Sequence, residues 1–429
     1  MAIQERPAGR IQLLAPLRHR EFRLLWTGMS VSLFGDGILL VALAWQTYSL
    51  SNAPAAMAAV GIALSVPQLA MLLLGGVVSD RFDRRLVMLL SDLVRAGCLT
   101  ALALLAVTGS LALWQMYALA ACYGAASGFF GPAFDSVVPA LVPADDLVQA
   151  NALDQFIRPA AMQIAGPAIG GVIIAIGGAG LGFAVDAMTF VVSAVCLVRM
   201  RPLPASPAGS AASMWQDMRA GFGYVRRNVW LWGTFVAAAF TYLLFLGPTE
   251  VLLPYLVKNV LHGSPAALGL ILASGGLGAV LAAFVVAQAG LPTSFMTFTY
   301  LAWTLATLAV AGYGVATRSW QLALTCALVN GLEAAGTIAW ANAKQRLVPN
   351  HMLGRVSSID WFVSIALVPL SYGLVAPVAL AFGVQATLVV VGVLGALVTG
   401  AFGFVPGIRA AQRAAPAPAE PAPAAAAQT

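Results

Sequence analysis

LVPADDLVQANALDQF, from Leu141 to Phe156, and LVPNHMLGRVSSIDWF, from Leu347 to Phe362, run in register at a constant offset of 206 residues. Leu147 stands over Leu353, Asp154 over Asp360 and Phe156 over Phe362, while Trp26 over Trp232 and Gly177 over Gly383 keep the same spacing. One such pair arises by chance; the series indicates that the second half of the chain repeats the first. On either side of each copy lie apolar runs of roughly 20 residues, the length of a helix that crosses a bilayer. In the first half they fall near 22–49, 57–79, 86–108, 112–133, 159–178 and 180–199; in the second, near 230–256, 265–289, 293–315, 320–342, 358–382 and 385–406.

Six spans per half is an even number, so both copies enter the membrane from the same side, the parallel repeat of two-bundle secondary transporters, with a cavity between the halves. The expected fold is therefore an all-α integral membrane protein of twelve transmembrane helices in two six-helix bundles. Composition agrees: the chain has 429 residues, 60% hydrophobic and 9% charged, with a mean hydropathy of +0.88. A soluble domain carries about 25% charged residues, which excludes a cytoplasmic enzyme or an extracellular receptor domain. Cys98, Cys122, Cys196 and Cys326 all lie in apolar stretches and imply neither metal nor disulfide chemistry. No cofactor is implied.

The net charge of +6 reflects orientation rather than a nucleic-acid partner. Nineteen of the 22 lysines and arginines fall in segments on the side of the termini; Lys258 and Arg318 lie in opposite loops and Arg95 within span 3. The positive-inside rule then places both termini in the cytoplasm. The chain divides into an N-terminal segment 1–21, a bundle 22–199, a linker 200–229, a second bundle 230–406 and an Ala/Pro-rich tail 407–429 expected to be disordered. The first apolar run is too long for a signal-peptide core and is expected to be retained. The linker opens as RPLPASPAGSAAS, a flexible composition, and continues as MWQDMRAGFGYVRRNVW, where apolar and basic residues alternate as in an interfacial helix.

GGVVSDRFDRR, between spans 2 and 3, carries Gly76, Asp80, Arg81, Arg84 and Arg85 at the spacing G-x-x-x-D-R-x-G-R-R, with Asp83 where a Gly usually stands. This resembles the loop signature of the major facilitator superfamily. The resemblance implies a latch between bundles at the cytoplasmic face, Asp80 meeting the start of span 11 near Ser357 and Ser358, where a helix N-terminus favours a carboxylate. At the equivalent place the second half has Gln288, so it lacks the charged latch. A plain stop-transfer loop is the competing reading. In span 5, AGPAIGG is similar to the G-P-x-x-G-G element of the superfamily's proton-coupled exporters. Gly166, Pro167, Gly170 and Gly171 are read as a gating kink, or else as small-residue packing. SLFGDGILLVALAW and FFGPAFDSVVPALVPADDLVQANAL resemble the branch that includes the enterobactin exporter and drug and macrolide efflux proteins. Span 4 lacks the embedded Arg that many proton-coupled relatives carry.

A carboxylate at mid-bilayer costs about 2.5–3.5 kcal/mol on insertion scales and needs a reason to be there. Asp36 is central in span 1, Glu333 central in span 10 and Glu250 in the outer part of span 7, helices that line the cavity in the superfamily. These three are candidates for proton coupling, against hydrogen bonding between helices as the alternative. Asp92 and Arg95, spaced i, i+3 on span 3, read as a structural pair, and Asp186 as a helix contact. Trp45, Tyr48, Phe240, Tyr242, Phe245 and Trp340 are candidates to stack on substrate or to sit at the interfacial belt.

The expected function is export of an amphipathic small molecule, drug-like or a siderophore, by alternating access and proton antiport, from the inner membrane of a bacterium. The partners implied are the lipid bilayer, the substrate and protons, with the chain as a monomer. An importer or facilitator on the same fold, or a non-transporting receptor, are the alternatives. No G-x-x-x-x-G-K-[ST] loop supports an ATP-driven pump.

Overall fold

A computed structural model describes residues 12–143, 146–201 and 211–409; the side chains of some helical residues, Asp80 and Arg81 among them, lie outside the description, as does the tail from 410. Long apolar segments form helices because a bilayer offers the backbone no hydrogen-bond partner. The first bundle contains α1 (Arg20–Leu50), α2 (Pro54–Arg81), α3 (Arg84–Val107), α4 (Leu113–Leu141), α5 (147–177) and α6 (179–199). The linker helix α7 (Ala211–Arg227) leads to the second bundle: α8 (Val229–Val260), α9 (Pro265–Ala289), α10 (Phe295–Val315), α11 (Ser319–Leu347), α12 (350–382) and α13 (Val384–Phe402).

The helix punctuation follows from local chemistry. Asp83 caps α3, its carboxylate accepting from the Arg85 N–H at 2.9 Å, and Ser264 caps α9 ahead of Pro265. Between α5 and α6 the chain turns at Gly178, φ +73°, and between α12 and α13 at Gly383, φ +83°, a left-handed conformation that favours glycine. The repeat aligns Gly177 with Gly383, yet the residue in that conformation is Gly178. The two copies have slipped by one position along this helix, which the turn absorbs.

Several helices begin or end well outside the apolar runs, always on the side of the termini. α5 starts at Leu147 rather than near 159, α4 runs to Leu141 rather than 133, and α12 starts at Asn350 rather than near 358. Polar residues extend these helices past the hydrocarbon, as Asp154 and Arg158 do by pairing at 2.8 Å one turn apart. Consequently Ser357 and Ser358 lie two turns inside α12, and no helix N-terminus stands there for Asp80 to meet. The side chain of Asp80 is itself outside the description.

Three buried apolar clusters divide the molecule. One, on the side away from the termini, spans both bundles and includes Tyr48, Leu99 and Phe183 with Val251, Leu268 and Tyr372. The other two lie on the termini side, one wholly in the first bundle (Phe22, Met88, Phe134, Leu153) and one in the second (Trp230, Phe235, Tyr300, Val356). The bundles thus share a core at one end and keep separate cores at the other. α7 rests on the second bundle, a Cβ on Gly221 standing 3.0 Å from Arg355 Cβ of α12.

Candidate functional site

Asp36, midway along α1, is largely buried, and Tyr123 of α4 donates its hydroxyl to Asp36 Oδ1. Behind it lies a sealed set of charges. Arg95 of α3 donates from Nη2 to Asp92 Oδ1, with side-chain exposures of 6% and 0%. The guanidinium is clasped between the rings of Phe130 (4.7 Å) and Phe190 (4.3 Å), which satisfies its faces without water. Asp186 of α6 presses against Gly35, the neighbour of Asp36, where no side chain would fit. Arg95 is within electrostatic reach of Asp36, Asp92, Asp186 and Tyr123, and Arg158 within reach of Asp36. The i, i+3 pair is therefore real, and Asp186 is a helix contact, but both belong to one assembly with Asp36.

Glu333 of α11 stands apart in the second bundle. Thr337 donates to its Oε1 at 2.9 Å, and with Tyr242, Phe245, Trp303 and Thr307 it lines a narrow crevice of about 40 Å³. Glu250 of α8 is elsewhere again: it sits in a π-helical turn, Pro248–Leu252, and accepts from the hydroxyl of Tyr372 of α12. The structure does not bring the three candidate carboxylates together. Nor do the aromatics share one role. Trp340 is buried and donates its indole N–H to Asp360 at 2.9 Å, Phe240 stacks on Phe402, and only Tyr242 and Phe245 reach the Glu333 crevice.

The contacts between bundles explain how the far side is shut. AGPAIGG lies at the seam. Gly166 and Gly170 back onto α1, whereas Gly171 faces α9, where a Cβ would stand 2.7 Å from Pro265 O. Pro167 has no N–H to give the Gln163 carbonyl, and a Cβ on Gly276 of α9 would stand 2.7 Å from that oxygen. The helix does not break at Pro167. Its irregularity is the π-helical turn just before, Pro159–Ala165, a feature frequent at functional sites. Across the other seam, Gly61 of α2 leaves room for the Tyr372 ring, which would stand 2.7 Å from a Cβ at that position. Tyr48 donates to Val251 O at 2.6 Å, and Lys258 Nζ donates to Ser49 Oγ at 2.8 Å while lying over the Trp45 ring.

On the termini side, Arg85 donates to the carbonyls of Leu197 and Val198 at 2.6 and 2.7 Å, tying α3 to the end of α6 within one bundle. Asp146, at the start of α5, accepts from Arg18 at 2.7 Å and pairs with the His19 ring at 2.9 Å. In the second bundle Asp360 takes Lys344 at 2.5 Å. Tyr123, Tyr372 and the place of Asp186 carried no signal in the sequence; Asp154 and Asp360 were marked by the repeat.

Two bundles of six helices, a shared core at one end and carboxylates buried in each half are the anatomy of one transporter class, and a family profile described as transmembrane secretion effector matches residues 11–427. The chain belongs to this family of the major facilitator superfamily. Among curated relatives, the enterobactin exporter of Shigella dysenteriae is 27% identical over 356 residues, covering 80% of this chain and 81% of the relative. Macrolide efflux protein A of Streptococcus pyogenes is 22% identical, covering 57% and 60%. Among solved structures, the nucleoside transporter NupG superposes with a TM-score of 0.68 at 13% identity, covering 89% of this chain and 98% of that one. As a major facilitator protein the chain is a multi-pass secondary transporter of a small molecule, not an enzyme.

Proposed function

We propose that this transporter exports an amphipathic small molecule by alternating access, against an inward flow of protons, from the inner membrane of a bacterium with both termini in the cytoplasm. The observation that carries the coupling is Asp36: a largely buried carboxylate midway along a membrane helix, held by one tyrosine hydroxyl and backed by a fixed guanidinium. Such a group exchanges a proton with water and competes for a cationic substrate, and that competition links the two flows. Glu333 is the second coupling candidate, Glu250 the third. The loop of Gly76, Asp80, Arg81, Arg84 and Arg85 is proposed as a cytoplasmic latch that forms when that side closes, since in the present conformation Arg85 is tied within its own bundle, and the Gly166, Pro167, Gly170 and Gly171 element as the gate at the seam. Outward direction is supported by the family description and by relatives that are an exporter and an efflux protein.

A second reading, uptake or facilitated passage, is favoured by the solved structures that share the fold, which include a nucleoside transporter and a peptide transporter. Vesicles of known orientation separate the two. A panel of siderophores and toxic cations should be expelled from right-side-out vesicles when a proton gradient is imposed. Asp36→Asn should abolish that flux yet leave downhill exchange, with Glu333→Gln weaker in the same direction. Gradient-driven accumulation of substrate would establish the second reading, and parental flux in the double variant would remove both carboxylates from the mechanism.

A further inference from the structure

The π-helical turn Pro248–Leu252 of α8 makes two contacts at the closed end at once. Its Val251 carbonyl accepts from Tyr48 of α1, across the seam, at 2.6 Å. One residue earlier, the Glu250 carboxylate accepts at Oε2 from the hydroxyl of Tyr372 of α12. Pro248 and Pro254 lack the N–H groups that would tie this stretch fully into the helical ladder, so the side chains it holds help to set its position.

Tyr372 is the wedge that the second bundle drives into the first. Its backbone is sewn to its own bundle: the hydroxyl of the adjacent Ser371 donates to Leu243 O at 2.6 Å and accepts from Gly247 N at 2.8 Å, both of α8. Its ring fills the notch at Gly61 of α2, where a Cβ would stand 2.7 Å from two ring carbons. The ring belongs to the core that both bundles share. Its hydroxyl is the one polar handle by which the ring can be held there, and Glu250 holds it. Glu250 is exposed and makes no ion pair among the described residues; Tyr372 is the titratable group that faces it, while α2 and α13, which also pack on this turn, offer none in their neighbouring halves. Its charge is spent on one hydrogen bond, and charge assistance makes such a bond about twice as strong as a neutral one.

We propose that the Glu250–Tyr372 hydrogen bond is the lock on the closed end: it holds the ring in the Gly61 notch, and breaking it lets α2 and α12 part. Glu250 in this role is a positioning residue that acts through Tyr372. The lock rests on alternating access but on neither the direction of transport nor its coupling to protons. Its test needs no cargo, so the failure of either of those readings leaves the measurement below to judge the lock by itself.

With the four native cysteines replaced, Ala58→Cys places a thiol on α2 one turn from Gly61, at a position of the shared core that is 4% exposed. In lipid nanodiscs a membrane-impermeant thiol reagent reaches it when that end opens, so the alkylation rate follows the open population. Tyr372→Phe, which keeps the ring and removes the hydroxyl, should speed alkylation about tenfold or more. Glu250→Gln, which keeps an acceptor and removes the charge, should speed it less, and adding it to Tyr372→Phe should change nothing further. Tyr313→Phe, in the same core but packed on α11 and α13 of the second bundle, should leave the parental rate. Should Tyr372→Phe fold poorly, Glu250→Ala breaks the same bond from its other side and should match the effect expected of it. Parental rates in both Tyr372→Phe and Glu250→Ala, effects that multiply in the double variant, or equal acceleration by Tyr313→Phe would each overturn the lock.

Discussion

Asp83 stands where the superfamily's loop usually has glycine, and its backbone, φ −57° and ψ 113°, needs none of glycine's freedom. The carboxylate caps α3 instead, so Asp83→Ala should cost about 1 kcal/mol of stability, read as a lower midpoint in thermal unfolding, whereas Asp83→Asn should cost little. Asp146 acts on a longer scale, holding the N-terminal segment to the start of α5. The His19 and Arg18 hydrogen bonds keep its carboxyl below the ordinary 3.8 of aspartate. A lowered native value means that the contact stabilises fully above the unfolded value and is lost as pH falls through the native one. Protection of the backbone amides around Arg18 against hydrogen exchange, corrected for the intrinsic rate, should therefore persist at neutral pH and be lost only in strong acid, while Asp146→Asn should be cut by trypsin near Arg18 several-fold faster than the parent at neutral pH. Equal rates would show that the tie is not made. Asp80→Asn should lower transport in vesicles at unchanged folded amount, and parental flux would remove Asp80 from the latch. At this scale the sequence shows what one helix holds: Asp92 with Arg95 is a matter of spacing along α3. That Asp186 backs onto Gly35 and Tyr123 meets Asp36 depends on how three helices are rotated about their axes, which apolar periodicity does not encode when lipid and neighbours are equally apolar.

At the scale of elements, glycine decides where the bundles touch. A methyl on Gly276 would meet Gln163 O at 2.7 Å and Ile164 Cγ1 at 2.6 Å, so α5 and α9 must separate to admit it. Overpacking of this kind costs about 1–3 kcal/mol. Gly97 of α3 is the control, exposed with nothing within 4 Å. Gly276→Ala should lower the unfolding midpoint and slow transport, and Gly97→Ala should do neither; matching behaviour would show that the seam is loose. The apolar runs located every membrane helix, because about 20 apolar residues have no other stable arrangement in a bilayer. They misplaced the ends on the termini side, where Asp154 with Arg158 and the polar first turns of α12 carry the helix on into water. AGPAIGG was legible as an irregular helix, but its irregularity as a π-helical turn upstream of Pro167 was not, since no residue pattern distinguishes it from a kink.

For the whole molecule, the shared core away from the termini and the two separate cores near them describe a conformation shut at one end. Tyr48 to Val251 and Lys258 to Ser49 close that end. With the four native cysteines replaced, a short bifunctional thiol reagent joining Ser49→Cys to Lys258→Cys should arrest transport, and cleaving the cross-link should restore it. Persisting flux would mean that α1 and α8 need not part there. Reporter fusions after Thr429 and within 203–213 should report the cytoplasm, and one near Ser51 the external side; inversion would reverse every statement about direction. The duplication was readable because helix entry at Leu147 and Asn350 is written in the same residues twice, whereas which end is shut depends on side chains meeting across the seam. The docking of α7 on α12 has a mechanical consequence. Because the linker helix is docked on the second bundle, the covalent tether between the two bundles runs from Arg199 to Ala211. Fully stretched, twelve peptide units reach about 40 Å, which is the farthest that Arg199 and Ala211 can part.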